Sequence, residues 1–190
     1  DDGSLVIFDI TGKGVINRIW TPTPNSDTLD FYIDNNGSPA FSISFIDLFS
    51  GKVFPFKSPL CGNQLGGYYC YIPILFEKSC RIITRGKKIQ FHQIQYRLYN
   101  DESTVVSFKS DLNSEGKAAL EKVAQLWNKN NPSINDLYPG VVSSKTGEFT
   151  IAPGKTTKIF ETSEGGRILG IEISPAEAFA GLNKNTDIKI

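Results

Sequence analysis

Gly14-Val15-Ile16-Asn17-Arg18-Ile19-Trp20 is a run of β-branched and aromatic residues that Thr21-Pro22-Thr23-Pro24-Asn25 brings to a stop. Such a run fits a pleated, half-buried strand, and a stretch rich in Pro and Asn cannot continue one. The same alternation of run and breaker spreads outward in both directions. Strands are expected at 5–9, 14–20, 29–33, 40–43, 68–72, 80–84 and 88–99. Asn35-Asn36-Gly37-Ser38-Pro39 and Gly62-Asn63-Gln64-Leu65-Gly66-Gly67 mark two further breaks. Many short strands with this punctuation predict an all-β sandwich or barrel. Within 88–99 the apolar phase changes: Ile89 and Phe91 share one face, then Ile94, Tyr96 and Leu98 the other. A bulge near His92 or Gln93 is the expected cause.

One segment has a helical period. Behind Asn113-Ser114, which can cap a helix, Leu120, Val123, Ala124 and Trp127 fall at i, i+3, i+4 and i+7. Lys122 and Lys129 lie on the polar side, and Asn131-Pro132 ends the run. One long helix near 114–129 is expected, laid over a sheet edge or the junction of two sheets. A faint internal repeat extends past it. Phe8-Asp9, Gly14, Ile16 and Ile19 correspond at one constant offset to Phe160-Glu161, Gly166, Ile168 and Ile171. After an insertion, Leu29-Asp30-Phe31 resembles Ile188-Lys189-Ile190. The expectation is a first module at 1–150 that includes the helix, then the start of a second, truncated module at 151–190. Residues 155–190 would then pair with something outside the first module: a second polypeptide, a symmetry-related copy, or residues lost by cleavage or truncation. The competing outcome is a strand that returns to complete the first sheet.

The bulk numbers narrow the function. At 190 residues, with 39% hydrophobic and 12% aromatic, the chain can build a packed core and is not disordered. Lys and Arg number 20 and Asp and Glu 20, so no basic field exists to attract nucleic acid or an anionic membrane. No apolar stretch approaches the ~20 residues that a membrane span needs. Asp1-Asp2-Gly3-Ser4 is neither a signal nor a transit peptide, and any targeting segment is expected to have been removed. Cys61, Cys70 and Cys80 form no C-x-x-C pair and His92 is the one histidine, so a structural zinc site is rejected. No metal or cofactor is expected. Cys61 and Cys70 flank a Gly-rich turn and can meet across a hairpin; the alternative is three buried free thiols.

Arg18 and Trp20 alternate with Asn17 and Ile19, so a strand puts both on one face. A guanidinium fork beside an indole suits a sugar, the fork donating to hydroxyls and the ring stacking on an apolar face. The plainer alternative is a core tryptophan beside an Arg bonded to backbone. Tyr69, Tyr71 and Pro73 share a face in the same way, either lining a carbohydrate groove or packing. Asp34 and Asp47 end strand or turn elements, where capping of turn amides is the expected role. Glu172 alternates with Ile171 and Ile173, and Glu161, Glu164 and Glu177 lie in or near loops. Nothing marks a pair of them as the two carboxyls, ~5–9.5 Å apart, that a glycosidase needs. His92 is too isolated to anchor a Ser–His–Asp triad, and Gly12-Lys13-Gly14 lacks the third glycine of a nucleotide loop.

Four blocks carry a family resemblance. Phe8-Asp9-Ile10-Thr11-Gly12-Lys13-Gly14-Val15-Ile16-Asn17-Arg18-Ile19-Trp20 resembles a G-P-G-x-I-x-R-I-W opening motif, with Lys13 in place of the proline. Residues 29–34 followed by Ser38-Pro39 resemble a strand ending in Y-x-D-G and then x-P. Phe45-Ile46-Asp47-Leu48-Phe49 resembles a G-D-F-F turn. Residues 66–82, with Pro73-Ile74-Leu75-Phe76 and Lys78-Ser79, resemble a Y-x-P-M-P-F-x-K-S-A-x-I block. In this order, over about residues 5–108, they resemble the N-terminal half of glycoside hydrolase family 172, which includes difructose-dianhydride-forming and -hydrolysing enzymes.

The resemblance implies a jelly-roll sandwich with the one long helix, followed by the opening strands of a second jelly roll. It implies a carbohydrate partner, action on fructofuranosyl or arabinofuranosyl linkages, and a homo-oligomer. An extracytoplasmic location, periplasmic or secreted, is favoured over a cytoplasmic one. Arg18, Trp20, Tyr69 and Tyr71 would contact substrate. The family's G-E-G-E and G-T-G-T-E-D-Y-F blocks do not occur in these residues, so no catalytic residue is assigned. The alternative is a non-catalytic carbohydrate-binding or assembly jelly-roll module.

Overall fold

The computed structural model describes residues 3–100, 102–129, 132–138, 140 and 143–174. They fall into two units, Asp1–Asn130 and Asn131–Ile190. In the first unit, strands β1 (Leu5–Thr11), β2 (Gly14–Thr21), β3 (Thr28–Ile33) and β4 (Phe41–Ser44) are followed by a 3₁₀ turn at Asp47–Phe49. Short strands β5 (Lys52–Val53), β6 (Phe56–Lys57), β7 (Cys61–Gln64), β8 (Gly67–Cys70) and β9 (Ile74–Phe76) come next. Then follow β10 (Ser79–Thr84), β11 (Gln93–Leu98) and helix α1 (Ser114–Asn128).

Two antiparallel sheets account for most of the strands. One has the order β1-β10-β3-β4, and the other β11-β2-β8-β7 with β9 also paired to β2. The β5–β6 pair stands apart as a two-stranded ribbon. Leu29, Phe31, Ile33 and Ile82 from the first sheet meet Ile16, Ile19, Ile74 and Phe76 from the second in one buried cluster. Phe31 stacks on Phe41 with ring centroids 4.3 Å apart. The protein is thus mostly β, a sandwich with its core between the sheets, as the alternating runs predict.

The bulge lies elsewhere than expected. On β11, consecutive Gln95 and Tyr96 face Arg18 and Ile16 of β2, so Asn17 is the extra residue. The reason is visible in β2 itself. Ile16 and Ile19 are both buried, and a regular strand cannot turn residues three apart to the same face. Residues 88–92 form no strand; the phase change read there marks the chain entering β11 at Gln93. Alternation alone did not reveal β7 or β9: β7 is short and carries Gly62, and β9 is three residues long directly after Pro73.

Helix α1 starts where expected: the Asn113 side chain accepts from the Gly116 amide at 2.8 Å. None of its residues is buried; Leu120 packs against the core from the rim. In the second unit a short helix, α2, occupies Ile134–Leu137 under a Ser133–Asp136 capping box. Residues 143–174 carry no strand, so the opening strands expected from 155 onward are not formed there. A strand exists only through a ladder partner, and that segment has none among the described residues. Glu177, Ile188, Lys189 and Ile190 lie outside the described residues.

Candidate functional site

With Asn17 absorbed in the bulge, Ile19 points inward and Arg18 and Trp20 point outward from the second sheet. Trp20 lies between two cross-strand neighbours, Gln93 on β11 and Tyr69 on β8. On β8 the same alternation buries Cys70 and leaves Tyr69, then Tyr71, on the outer face. The fold therefore brings Arg18, Trp20, Tyr69 and Tyr71 onto one face of one sheet.

Side-chain contacts join Arg18 to Trp20 and Tyr69 to Tyr71, and the β2–β8 register sets the two pairs in one row. The Arg18 guanidinium carbon stands 5.6 Å from the centroid of the Trp20 ring, and Nη1 donates to Gln93 Oε1 at 3.2 Å. Arg18 Nε is shielded from water and has no hydrogen-bond partner among the described residues. Tyr69 and Tyr71 have ring centroids 5.4 Å apart, tilted by 44°. Tyr71 in turn meets Trp127 of α1 at 5.2 Å. Trp20 is partly exposed and Trp127 is 50% exposed.

Next to Trp20 is an open depression of about 360 Å³, lined by Trp20, Pro22, Phe91, His92 and Gln93. Thr21 Oγ1 donates to the Phe91 carbonyl at 2.6 Å and so ties the far wall to β2. Among the described residues, a larger hollow of about 570 Å³ is lined by Lys122, Gln125, Leu126, Asn128 and Lys129 of α1 and its cap. Among the described residues it gathers no aromatic side chain and no second element, so the Trp20 depression is the better candidate.

The other sequence candidates have structural duties or stand apart. Asp34 Oδ1 accepts from the Glu77 and Lys78 amides at 2.9 and 2.7 Å, and Ser107 donates to Oδ2. Burial pushes its pKa up, but the hydrogen bonds from Ser107 and from the Lys78, Glu77 and Ser79 amides outweigh that and lower it overall. It clamps a turn, as expected. Asp47 opens the 3₁₀ turn and is exposed. Glu161 pairs with Lys158 at 3.0 Å on the surface, and Glu164 and Glu172 are exposed. Lys13 reaches the Ser103 carbonyl at 2.6 Å, a tie for the loop after β11. The three cysteines are free and buried.

Sequence reasoning missed Trp127, Gln93 and Phe91 as neighbours of the row. Trp127 was legible only as part of the helix stripe. Gln93 and Phe91 join through the β2–β11 register, which no local pattern displays.

Comparison with known families gives two matches. The family model for the GH172 first beta-sandwich domain matches residues 1–116, and the one described as GH172 domain-like matches residues 141–190. No curated protein matches the chain.

Proposed function

The chain belongs to glycoside hydrolase family 172, and on that premise we propose that it is the non-catalytic or substrate-contacting first half of a protein acting on furanosyl linkages. The carbohydrate would carry fructofuranosyl or arabinofuranosyl units. One observation carries this reading: Arg18, Trp20, Tyr69 and Tyr71 stand together on an outer sheet face, each at least partly exposed. Aromatic rings stack on the apolar face of a sugar while the guanidinium fork serves its hydroxyls. In this reading the sandwich is a jelly roll, residues 1–150 form the first module and 151–190 begin a second. The protein is a homo-oligomer outside the cytoplasm.

A second reading, a non-catalytic carbohydrate-binding or assembly module, is favoured by the chemistry of the row. Among the described residues, its members and the lining of the depression offer rings, one amide, an imidazole and a guanidinium, but no carboxyl group. A glycosidase needs two carboxyls, ~5–9.5 Å apart. Under the first reading, a neighbouring half or subunit supplies them.

Calorimetric titration with fructofuranosyl and arabinofuranosyl oligosaccharides, against a pyranosyl control, tests the site. Furanosyl ligands should bind, and Trp20→Ala and Arg18→Ala should each weaken them about tenfold, or ~1.4 kcal/mol. Equal binding of the pyranosyl control, or indifference to both substitutions, overturns the proposal. Hydrolysis of furanosyl glycosides by the isolated chain would overturn the assignment of the catalytic acids to another half.

A further inference from the structure

Cys61 and Cys70 are direct cross-strand partners in the β7–β8 hairpin. The turn between the strands is Leu65-Gly66, with φ of 51° and 78°, a two-residue turn of the primed type. Counting back from it fixes the pair type at each rung. Gln64 and Gly67 form a hydrogen-bonded pair, and the type alternates along the ladder. Cys61 and Cys70 therefore occupy a non-hydrogen-bonded rung. The next rung confirms the count, since the Tyr71 amide donates to the Leu60 carbonyl at 2.9 Å. At such rungs the Cα atoms lie about 4.5 Å apart, within the ~4.4–6.8 Å that a disulfide spans.

Both side chains point into the core, Cys61 at 0% and Cys70 at 1% exposure. The Cys70 thiol beside it, together with burial, holds the Cys61 thiol well above its ordinary pKa. Cys80 differs: its ladder neighbours are Ile10 and Ile33, and burial pushes it up to about 12. It has no cysteine across its own rungs and is the internal control.

We propose that Cys61 and Cys70, free thiols in this structure, are joined by a disulfide in the oxidised protein, installed during folding by thiol–disulfide exchange before the sandwich closes over them. One thiolate attacks a sulfur of a small-molecule or protein disulfide and releases the first thiol of that oxidant. The second cysteine thiolate then attacks the mixed disulfide and releases the other. The protein loses two protons and two electrons and gains one S–S bond; the oxidant is reduced to two thiols. The timing follows from burial, because a sealed pair of protonated thiols presents no thiolate to an oxidant in solution. The bond would brace the hairpin that carries Tyr69 and supports Trp20, and it fits an oxidising compartment.

The test is to refold the full chain in a glutathione redox buffer, unfold it without reductant, alkylate free thiols and weigh it. One alkyl group on Cys80 is expected, with the peptide holding Cys61 and Cys70 lighter by two hydrogens. Cys80→Ser should keep the bond and take up no alkyl group, whereas Cys70→Ser should abolish it. The oxidised chain should melt roughly 5–10 °C above the reduced one, since a crosslink restricts the unfolded chain. Three alkyl groups, a bond involving Cys80, or an oxidised chain that melts no higher than the reduced one overturns the proposal. None of these outcomes depends on sugar binding.

Discussion

Trp20 lies across Gly67 so closely that a methyl group on residue 67 would overlap the indole Nε1. Only a residue without a side chain lets the ring rest there against the sheet. Tyr69 stands in the same relation to Gly62, where a Cβ would come within 2.7 Å of the tyrosine hydroxyl. Two of the four proposed sugar contacts thus owe their posture to glycines of the β7–β8 hairpin.

Gly67→Ala should lift the indole and disturb the row while the core stays intact. The overpacking cost is about 1–3 kcal/mol, and furanosyl ligands should bind about tenfold more weakly, with a shift in tryptophan emission. Gly37→Ala, where a Cβ meets nothing within 4 Å, is the matched control and should match the wild type. Titration and thermal melts of both variants decide it. Unchanged binding by Gly67→Ala would show that the indole posture is irrelevant.

Trp127→Ala should separate binding from stability. The side chain is 50% exposed and α1 buries none of its residues, so the melting point should move by less than ~1 kcal/mol equivalent. Because Trp127 extends the row beyond Tyr71, affinity for longer furanosyl chains should fall several-fold. A large drop in melting temperature with unchanged affinity would make Trp127 a packing residue instead.

Asp34 should make the sandwich sensitive to acid. Its native pKa is lowered from the ordinary 3.8, so its contribution is complete above that value and is lost as pH falls through the native one. Asp34→Asn should be less stable than the wild type at pH 7 by about 1–3 kcal/mol, the cost of weakening the clamp on the Glu77 and Lys78 amides. Paired denaturation curves from pH 7 downward should show that gap closing in acid. A gap that stays constant would mean that the carboxylate charge is not what holds the turn.

The alternating runs and their breakers sufficed for the all-β class, and the 3.6-residue stripe with Asn113 sufficed for α1. Both are local patterns, one element deep, in which neighbouring residues determine the outcome. The facing of Arg18 with Trp20, and of Tyr69 with Tyr71, was legible for the same reason. That the two pairs belong to one face required the β2–β8 ladder, and Gln93 entered only through β11. The bulge at Asn17 also escaped, because Ile16 and Ile19 can share a face only if the partner strand supplies one residue fewer. The cysteines show the division most sharply. Their flanking of a turn could be read in the chain, but the non-hydrogen-bonded rung depends on a turn of two residues with both φ positive. Sequence periodicity specifies which way a side chain faces along its own strand. Register between strands far apart in the chain is set by closing the core, so the composition of the site was decided only by the folded structure.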